Sequence, residues 1–316
     1  MKKIDWGQGW NVSKLCFGVL PIGPAGRNMP PAEAGEILLE SFRCGVNFID
    51  TAQSYGTYPH IRHALDRHTG DKIYVATKSG AESYEKMEEA VLEAQEELGL
   101  EHIDIFHLHA ARVQPDVFEK RRGALECLED YKARGIVGRV GISTHSATVV
   151  ARAATEDAIE VVFPLINRTG HGVLDGDRDD MVRAIERVHE AGKPMYAMKA
   201  FAGGNLLEDR RGALDFVTSL TGIDVVAVGM VNLKELLVNA ALLDDSEVDE
   251  KLWEETARNN KQMFIAAFCA GCGTCLDHCP NDALYIEDGK CKIRREKCIL
   301  CGYCAPDCPQ FAIRMV

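Results

Sequence analysis

The chain has 316 residues, enough for one large domain and one small one. Its 48 acidic and 36 basic residues leave a formal net charge of −12, so a nucleic-acid partner, which requires a basic face, is not expected. No apolar run approaches the roughly 18 residues of a membrane span, and Met1-Lys2-Lys3 leads into no apolar export segment, so the expectation is a cytoplasmic protein without a membrane anchor.

Up to residue 245, short apolar runs bounded by turn residues alternate with longer stretches of helical period. The runs are 15–20, 46–50, 73–77, 103–108, 137–143, 161–166, 195–200 and 225–228. Helical candidates between them include 31–44, 83–98, 115–134, 146–157, 178–191 and 233–243. Eight strands alternating with helices over about 230 residues is the count and length of a (β/α)8 TIM barrel. The rival is an open doubly wound sheet, which has a Gly-rich turn after its first strand. Here that turn reads Gly18-Val19-Leu20-Pro21-Ile22-Gly23 and does not match G-x-G-x-x-G.

In a barrel, chemistry sits at the carboxyl ends of the strands. Those ends give Asp50, with Tyr55 in the loop that follows, then Lys78, then His109. Singly, each residue has an ordinary explanation: a loop cap, a rim lysine, a stacked ring, a core imidazole. At successive strand ends they converge on one mouth and form a coherent acid–base set. A Lys78 ammonium beside Tyr55 favours the phenolate form, and Asp50 neutralises and positions Lys78. His109 can donate to a carbonyl oxygen, and Tyr55 can then protonate that oxygen as hydride reaches carbon.

Residues 244–249 form a polar break, and a connecting helix is expected over 246–268, its helical pattern beginning at about residue 250. The domains are accordingly 1–245 (barrel), 246–268 (connection) and 269–316 (tail). Nine of the twelve cysteines lie from Cys269 onward. Cys269, Cys272, Cys275 and Cys279-Pro280 form one C-x2-C-x2-C-x3-C-P run; Cys298, Cys301, Cys304 and Cys308-Pro309 form a second. A disulfide framework would need an oxidising compartment, and zinc sites lack the third Cys at the same step. The duplicated run is the one that holds two [4Fe–4S] clusters in bacterial-type ferredoxins, a small α+β fold. In that pattern three thiolates of one run share a cluster with the fourth of the other. The expected sets are therefore Cys269, Cys272, Cys275 with Cys308, and Cys298, Cys301, Cys304 with Cys279. Cys16, Cys44 and Cys127 read as small buried hydrophobes, and Cys291 as part of a connecting strand rather than an iron ligand.

The stretch Phe48-Ile49-Asp50-Thr51-Ala52-Gln53-Ser54-Tyr55-Gly56 resembles the signature of the aldo-keto reductase superfamily. Ala76-Thr77-Lys78 and Ile103-Asp104-Ile105-Phe106-His107-Leu108-His109 resemble its next two motifs, and Val140-Gly141-Ile142-Ser143 and Ala202-Gly203-Gly204-Asn205-Leu206 its later cofactor-side segments. The resemblance covers residues 10–243 and implies carbonyl reduction with a nicotinamide cofactor, NAD(H) or NADP(H), across the mouth. Cofactor contacts would fall on Ser143, Lys199, Gly203, Gly204, Asn232, Glu235 and Asn239. Several positions depart from the pattern. Thr144 stands where Asn usually follows the serine, Phe163 where a Gln is usual, and Met198 where an aromatic stacks on nicotinamide. Val231 stands where a cation would meet a 2′-phosphate, so NADP preference has no support.

Two functions compete. In the first, an oxidoreductase acts on a small carbonyl or alcohol and exchanges electrons through its clusters with a redox partner protein. Since a cluster carries one electron and nicotinamide a hydride pair, a flavin could join the two. In the second, the barrel is a docking platform of an electron-transfer or sensing protein.

Overall fold

The computed structural model describes residues 1–111, 113, 115–256, 262–298, 302–305 and 307–315. A short antiparallel hairpin, β1 (Lys3–Asp5) and β2 (Asn11–Ser13), opens the chain. The barrel strands are β3 (Leu15–Gly18), β4 (Phe48–Asp50), β5 (Tyr74–Ser79), β6 (Ile103–Ala110), β7 (Val137–Thr144), β8 (Val161–Pro164), β9 (Met195–Ala197) and β10 (Ile223–Gly229). They are parallel, and β10 pairs with β3 to close the barrel. The helices α1 (Pro31–Arg43), α2 (Tyr58–Leu65), α3 (Tyr84–Leu98), α4 (Val117–Lys120), α5 (Arg122–Ala133), α6 (Ala147–Ala153), α7 (Arg178–Glu190), α8 (Arg210–Thr218) and α9 (Leu233–Leu243) follow the strands. The helix expected over 115–134 is thus broken into α4 and α5 at Arg121.

Two apolar layers hold the barrel, one between strands and helices and one inside the lumen. Phe48, Tyr74, Ile105, Val161, Phe163, Tyr196 and Val225 fill the lumen, packed with Trp6 and Trp10 of the opening hairpin. Trp10 stacks on Tyr74 at 5.1 Å and Trp6 meets Phe48 edge-on at 5.5 Å, closing the end away from the strands' carboxyl termini.

Beyond residue 245 the structure departs from the single helix expected over 246–268. Helix α10 covers only Glu250–Glu255, and Met263–Ile265 is a strand, β11. Its antiparallel partner is the last strand, β14 (Ile313–Met315), with Met263 opposite Met315. Between them lie α11 (Thr274–Asp277) and the hairpin β12 (Leu284–Glu287) and β13 (Lys290–Ile293). Cys291 lies on β13, on a strand as expected.

This small domain rests on the barrel. Its core of Met263, Cys269, Cys275, Ile313 and Met315 packs against Leu207 of the barrel. Below β14 lies the backbone of Gly203 and Gly204, both at positive φ (67° and 96°). A Cβ on Gly204 would lie 2.6 Å from the Cβ of Met315, so only glycine permits this approach. Gly204→Ala is therefore expected to loosen the last strand, at a cost of about 1–3 kcal/mol from strain and overpacking. A lower melting temperature with faster proteolysis near residues 311–315 checks this; an unchanged melt and cleavage pattern contradicts it.

Candidate functional site

The strand ends deliver the four expected residues to one place. Asp50 closes β4, Tyr55 ends the short 3-10 turn Gln53–Tyr55, Lys78 lies in β5 and His109 in β6. Lys78 is only 1% exposed, yet its ammonium is fully engaged. It donates to Asp50 Oδ1 at 2.8 Å, to Oδ2 at 2.7 Å and to the Thr51 carbonyl at 2.5 Å. The same nitrogen is 4.9 Å from the centre of the Tyr55 ring. His109 meets that ring edge-on at 6.2 Å.

Burial acts against both charges of the pair. It pushes the Asp50 carboxyl up, and Lys78 and Tyr196 only partly oppose it. It also pulls on Lys78, but Asp50 and then Tyr55 overcome it and hold the ammonium above its ordinary range. These two directions favour different states of the pair. We take it as ionised, because the carboxylate receives two bonds from Lys78 and a third, at 3.1 Å, from the Tyr196 hydroxyl. Burial, followed by the charges of Lys78, Arg121 and Lys199, lowers the His109 pKa to about 3. Its imidazole is neutral near pH 7 and can still donate one N–H.

Two further residues complete the set. His107 Nε2 lies 2.7 Å from the Tyr196 hydroxyl. Since that hydroxyl donates to Asp50, His107 donates to it, giving a chain His107–Tyr196–Asp50–Lys78. Phe163 stacks on Tyr196 at 3.8 Å and fixes the ring. A signal for His107 exists in the pleat: it shares a face with His109, and strand pairing places it opposite Lys78. Tyr196 has no such local mark.

A cavity of about 170 Å³ opens above this set. Asp50, Tyr55, Phe163, Met198 and Lys199 line it from the barrel. Arg314 and Met315 line it from the small domain, so the mouth is shared by both parts of the chain. Of the expected cofactor residues, Lys199, Gly203, Gly204 and Glu235 border this cavity. Ser143 is level with His109 in the sheet, and its buried hydroxyl has no hydrogen-bond partner among the described residues. Asn232 caps α9, its Oδ1 accepting from the Glu235 N–H at 2.9 Å, while the Glu235 carboxylate accepts from the Val231 N–H at 3.1 Å. Asn239 is buried beside Glu235 and Arg210, away from Tyr55.

The cysteines line two separate cavities. Cys269, Cys272, Cys275 and Cys308 face one, with Cys291 beside them; Cys279, Cys298 and Cys304 face the other. Cys301 lies outside the described residues. Among the described residues no three ligand-type side chains converge on a single ion. The sulfurs accept backbone N–H bonds: Cys269 from Gly271 and Cys291 (3.4 Å each), Cys279 from Ala283 (3.2 Å) and Cys308 from Ala312 (3.3 Å). Such bonds stabilise thiolates, and they fit cluster ligation. Cys275 accepts from the Cys291 thiol at 3.5 Å, which draws its pKa down to about 7.

Comparison with known proteins agrees with this architecture. The model of the aldo/keto reductase family matches residues 14–221, and that of the 4Fe-4S dicluster domain residues 268–313. L-galactose dehydrogenase of Arabidopsis thaliana is 26% identical over 188 residues, 55% of this chain and 58% of that protein. An uncharacterised ferredoxin of Methanocaldococcus jannaschii is 45% identical over 59 residues, 18% of this chain and 39% of that protein. The chain thus spans less than two thirds of the length of these curated relatives. A solved structure of an aldo-keto reductase from Bacillus halodurans superposes with a TM-score of 0.64 at 20% identity, covering 81% of this chain and 96% of that one. Among the described residues no helix is long and apolar enough to cross a membrane.

Two outcomes follow from this geometry. Lys78→Met strands a buried carboxylate and is expected to cost about 3–5 kcal/mol in denaturant unfolding. Most of that loss should return in the double variant Asp50→Asn/Lys78→Met; equal losses in both would contradict a charged pair. Cys308→Ala should lower bound iron from about eight to about four per chain and spare the cluster of the second run. Iron analysis with electron paramagnetic resonance distinguishes this from loss of the other cluster, which would refute the crossed sets.

Proposed function

The chain belongs to the aldo/keto reductase family and carries a 4Fe-4S dicluster domain, and on that premise we propose that it interconverts a small carbonyl compound and its alcohol, exchanging electrons through the iron–sulfur domain. The observation that carries this reading is the single cavity in which Asp50 and Tyr55 face Arg314 and Met315. Chemistry and electron carrier then meet at one wall.

Reduction of C=O to CH–OH takes up two electrons and two protons. Tyr55, beside the Lys78 ammonium, gives one proton to the carbonyl oxygen and recovers it from solvent at the open mouth. Neutral His109 donates an N–H to the same oxygen and orients it. The electrons would arrive one at a time, and the second proton, which ends on carbon, is drawn from solvent at the open mouth as the second electron is taken up. Asp50, itself held by Tyr196, acts through Lys78 by fixing its ammonium beside Tyr55, so both are positioning residues. Cys269, Cys272, Cys275 and Cys308 would hold one cluster, and Cys279, Cys298, Cys301 and Cys304 the other. When bound, each cluster carries one electron, so two transfers from a reduced ferredoxin-type partner supply the pair.

Two family relatives are named as dehydrogenases of L-galactose and of D-threo-aldoses, so aldoses, their lactones and simple dicarbonyls are the first probes. With dithionite-reduced viologen as donor, Tyr55→Phe is expected to lower kcat by about 10²- to 10⁴-fold while iron content and melting temperature hold. Unchanged turnover would leave the barrel as a docking platform for an electron carrier.

A further inference from the structure

The resemblance of Ala202-Gly203-Gly204-Asn205-Leu206 to a cofactor-side segment implies that a nicotinamide dinucleotide across this mouth would pass its pyrophosphate over Gly203 and Gly204. The chain itself already fills that space. A Cβ at Gly204 would meet the Met315 Cβ at 2.6 Å and its carbonyl oxygen at 3.1 Å; at Gly203, the Phe311 ring at 3.2 Å. Phe311 is 3% exposed. Its ring lies against His171 at 4.7 Å, and Lys199 Nζ sits 5.2 Å over its face. The lysine best placed for a phosphate therefore faces an aromatic ring.

The surroundings of Val231, where a 2′-phosphate would be expected, are engaged in the same way. Lys234, which could have replaced the missing cation at Val231, pairs with Glu255 at 2.8 Å. Arg210 stacks on Trp253 at 3.8 Å and donates to the Trp253 and Thr256 carbonyls at 2.8 and 3.2 Å. Both cations are thus engaged with the segment that leads into the iron–sulfur domain. That domain's last residues are also tied to a cysteine of the first cavity. The Phe311 N–H donates to the Cys308 carbonyl at 2.9 Å, and the Ala312 N–H to its sulfur at 3.3 Å.

We propose that residues 311–315 stand in place of a dinucleotide: docked, they occupy the pyrophosphate stretch and wall the catalytic cavity, so the docked iron–sulfur domain and NAD(H) or NADP(H) exclude each other. Electrons then reach the mouth from the side of Cys308, a clause that rests on the carbonyl chemistry proposed above; the exclusion does not depend on it. The buried Ser143 hydroxyl, which has no hydrogen-bond partner among the described residues, is left for the substrate.

The test is anaerobic calorimetry of the cluster-loaded full chain with NADH and with NADPH. No saturable binding is expected below about 1 mM. In Phe311→Ala/Met315→Ala the docked state is weakened, and at least one nucleotide should bind about tenfold tighter or more, because less affinity is lost to the closed population. Micromolar binding by the unmodified chain would overturn the proposal. So would a double variant that keeps its iron and still rejects both nucleotides. If that variant loses its clusters, the titration of the unmodified chain decides alone. Failure of Tyr55→Phe to slow turnover would sink the carbonyl reading and leave these titrations unchanged, so the two fail separately.

Discussion

The approach of one backbone to another at Gly203 and Gly204 determines what the barrel mouth can be. A side chain at Gly204 would collide with Met315, and with it the docked position of the last strand would be lost. From that contact follow the shared cavity, the burial of Phe311 and the link through Phe311 and Ala312 to Cys308. The contact is steric rather than polar, so it is insensitive to salt and pH but intolerant of a single added methyl group.

Below this roof, charge burial is the second constraint. A lysine 1% exposed in a barrel lumen is costly unless its charge is matched, and here Asp50 matches it through two oxygens. The carboxylate in turn needs the Tyr196 hydroxyl, and the hydroxyl is oriented by His107. Each partner answers the unmet bonding of the one before it. Such a chain fixes the Lys78 ammonium beside Tyr55 with little freedom to move. It also explains why two histidines two residues apart differ in role: His107 is sealed into the chain, while His109, one layer higher, meets the Tyr55 ring.

Much of this was legible in the sequence, and the losses have physical causes. Strand and helix periods marked the barrel, and the strand-end positions of Asp50, Lys78 and His109 marked its mouth. The cysteine spacing marked the iron–sulfur domain because cluster ligation demands a fixed step between thiolates. Met263–Ile265 was read as helix because a short apolar run carries no period of its own. Its strand partner lies near residue 314, far outside any local window. Tyr196 escaped for the same reason: its partners His107 and Asp50 come from other strands. The sequence leads to cofactor contacts at Gly203 and Gly204, yet in the structure Met315 and Phe311 lie against them. A glycine announces close approach but not by what.

Hydrogen–deuterium exchange on the anaerobic, cluster-loaded chain tests the central point most directly. If the last strand is a resident wall of the mouth, amides of residues 202–206 and 311–315 exchange slowly together, and saturating NADH or NADPH leaves both segments unchanged. Fast exchange at 311–315, or protection of 202–206 that appears only with nucleotide, would show an open mouth that takes a dinucleotide and would contradict it.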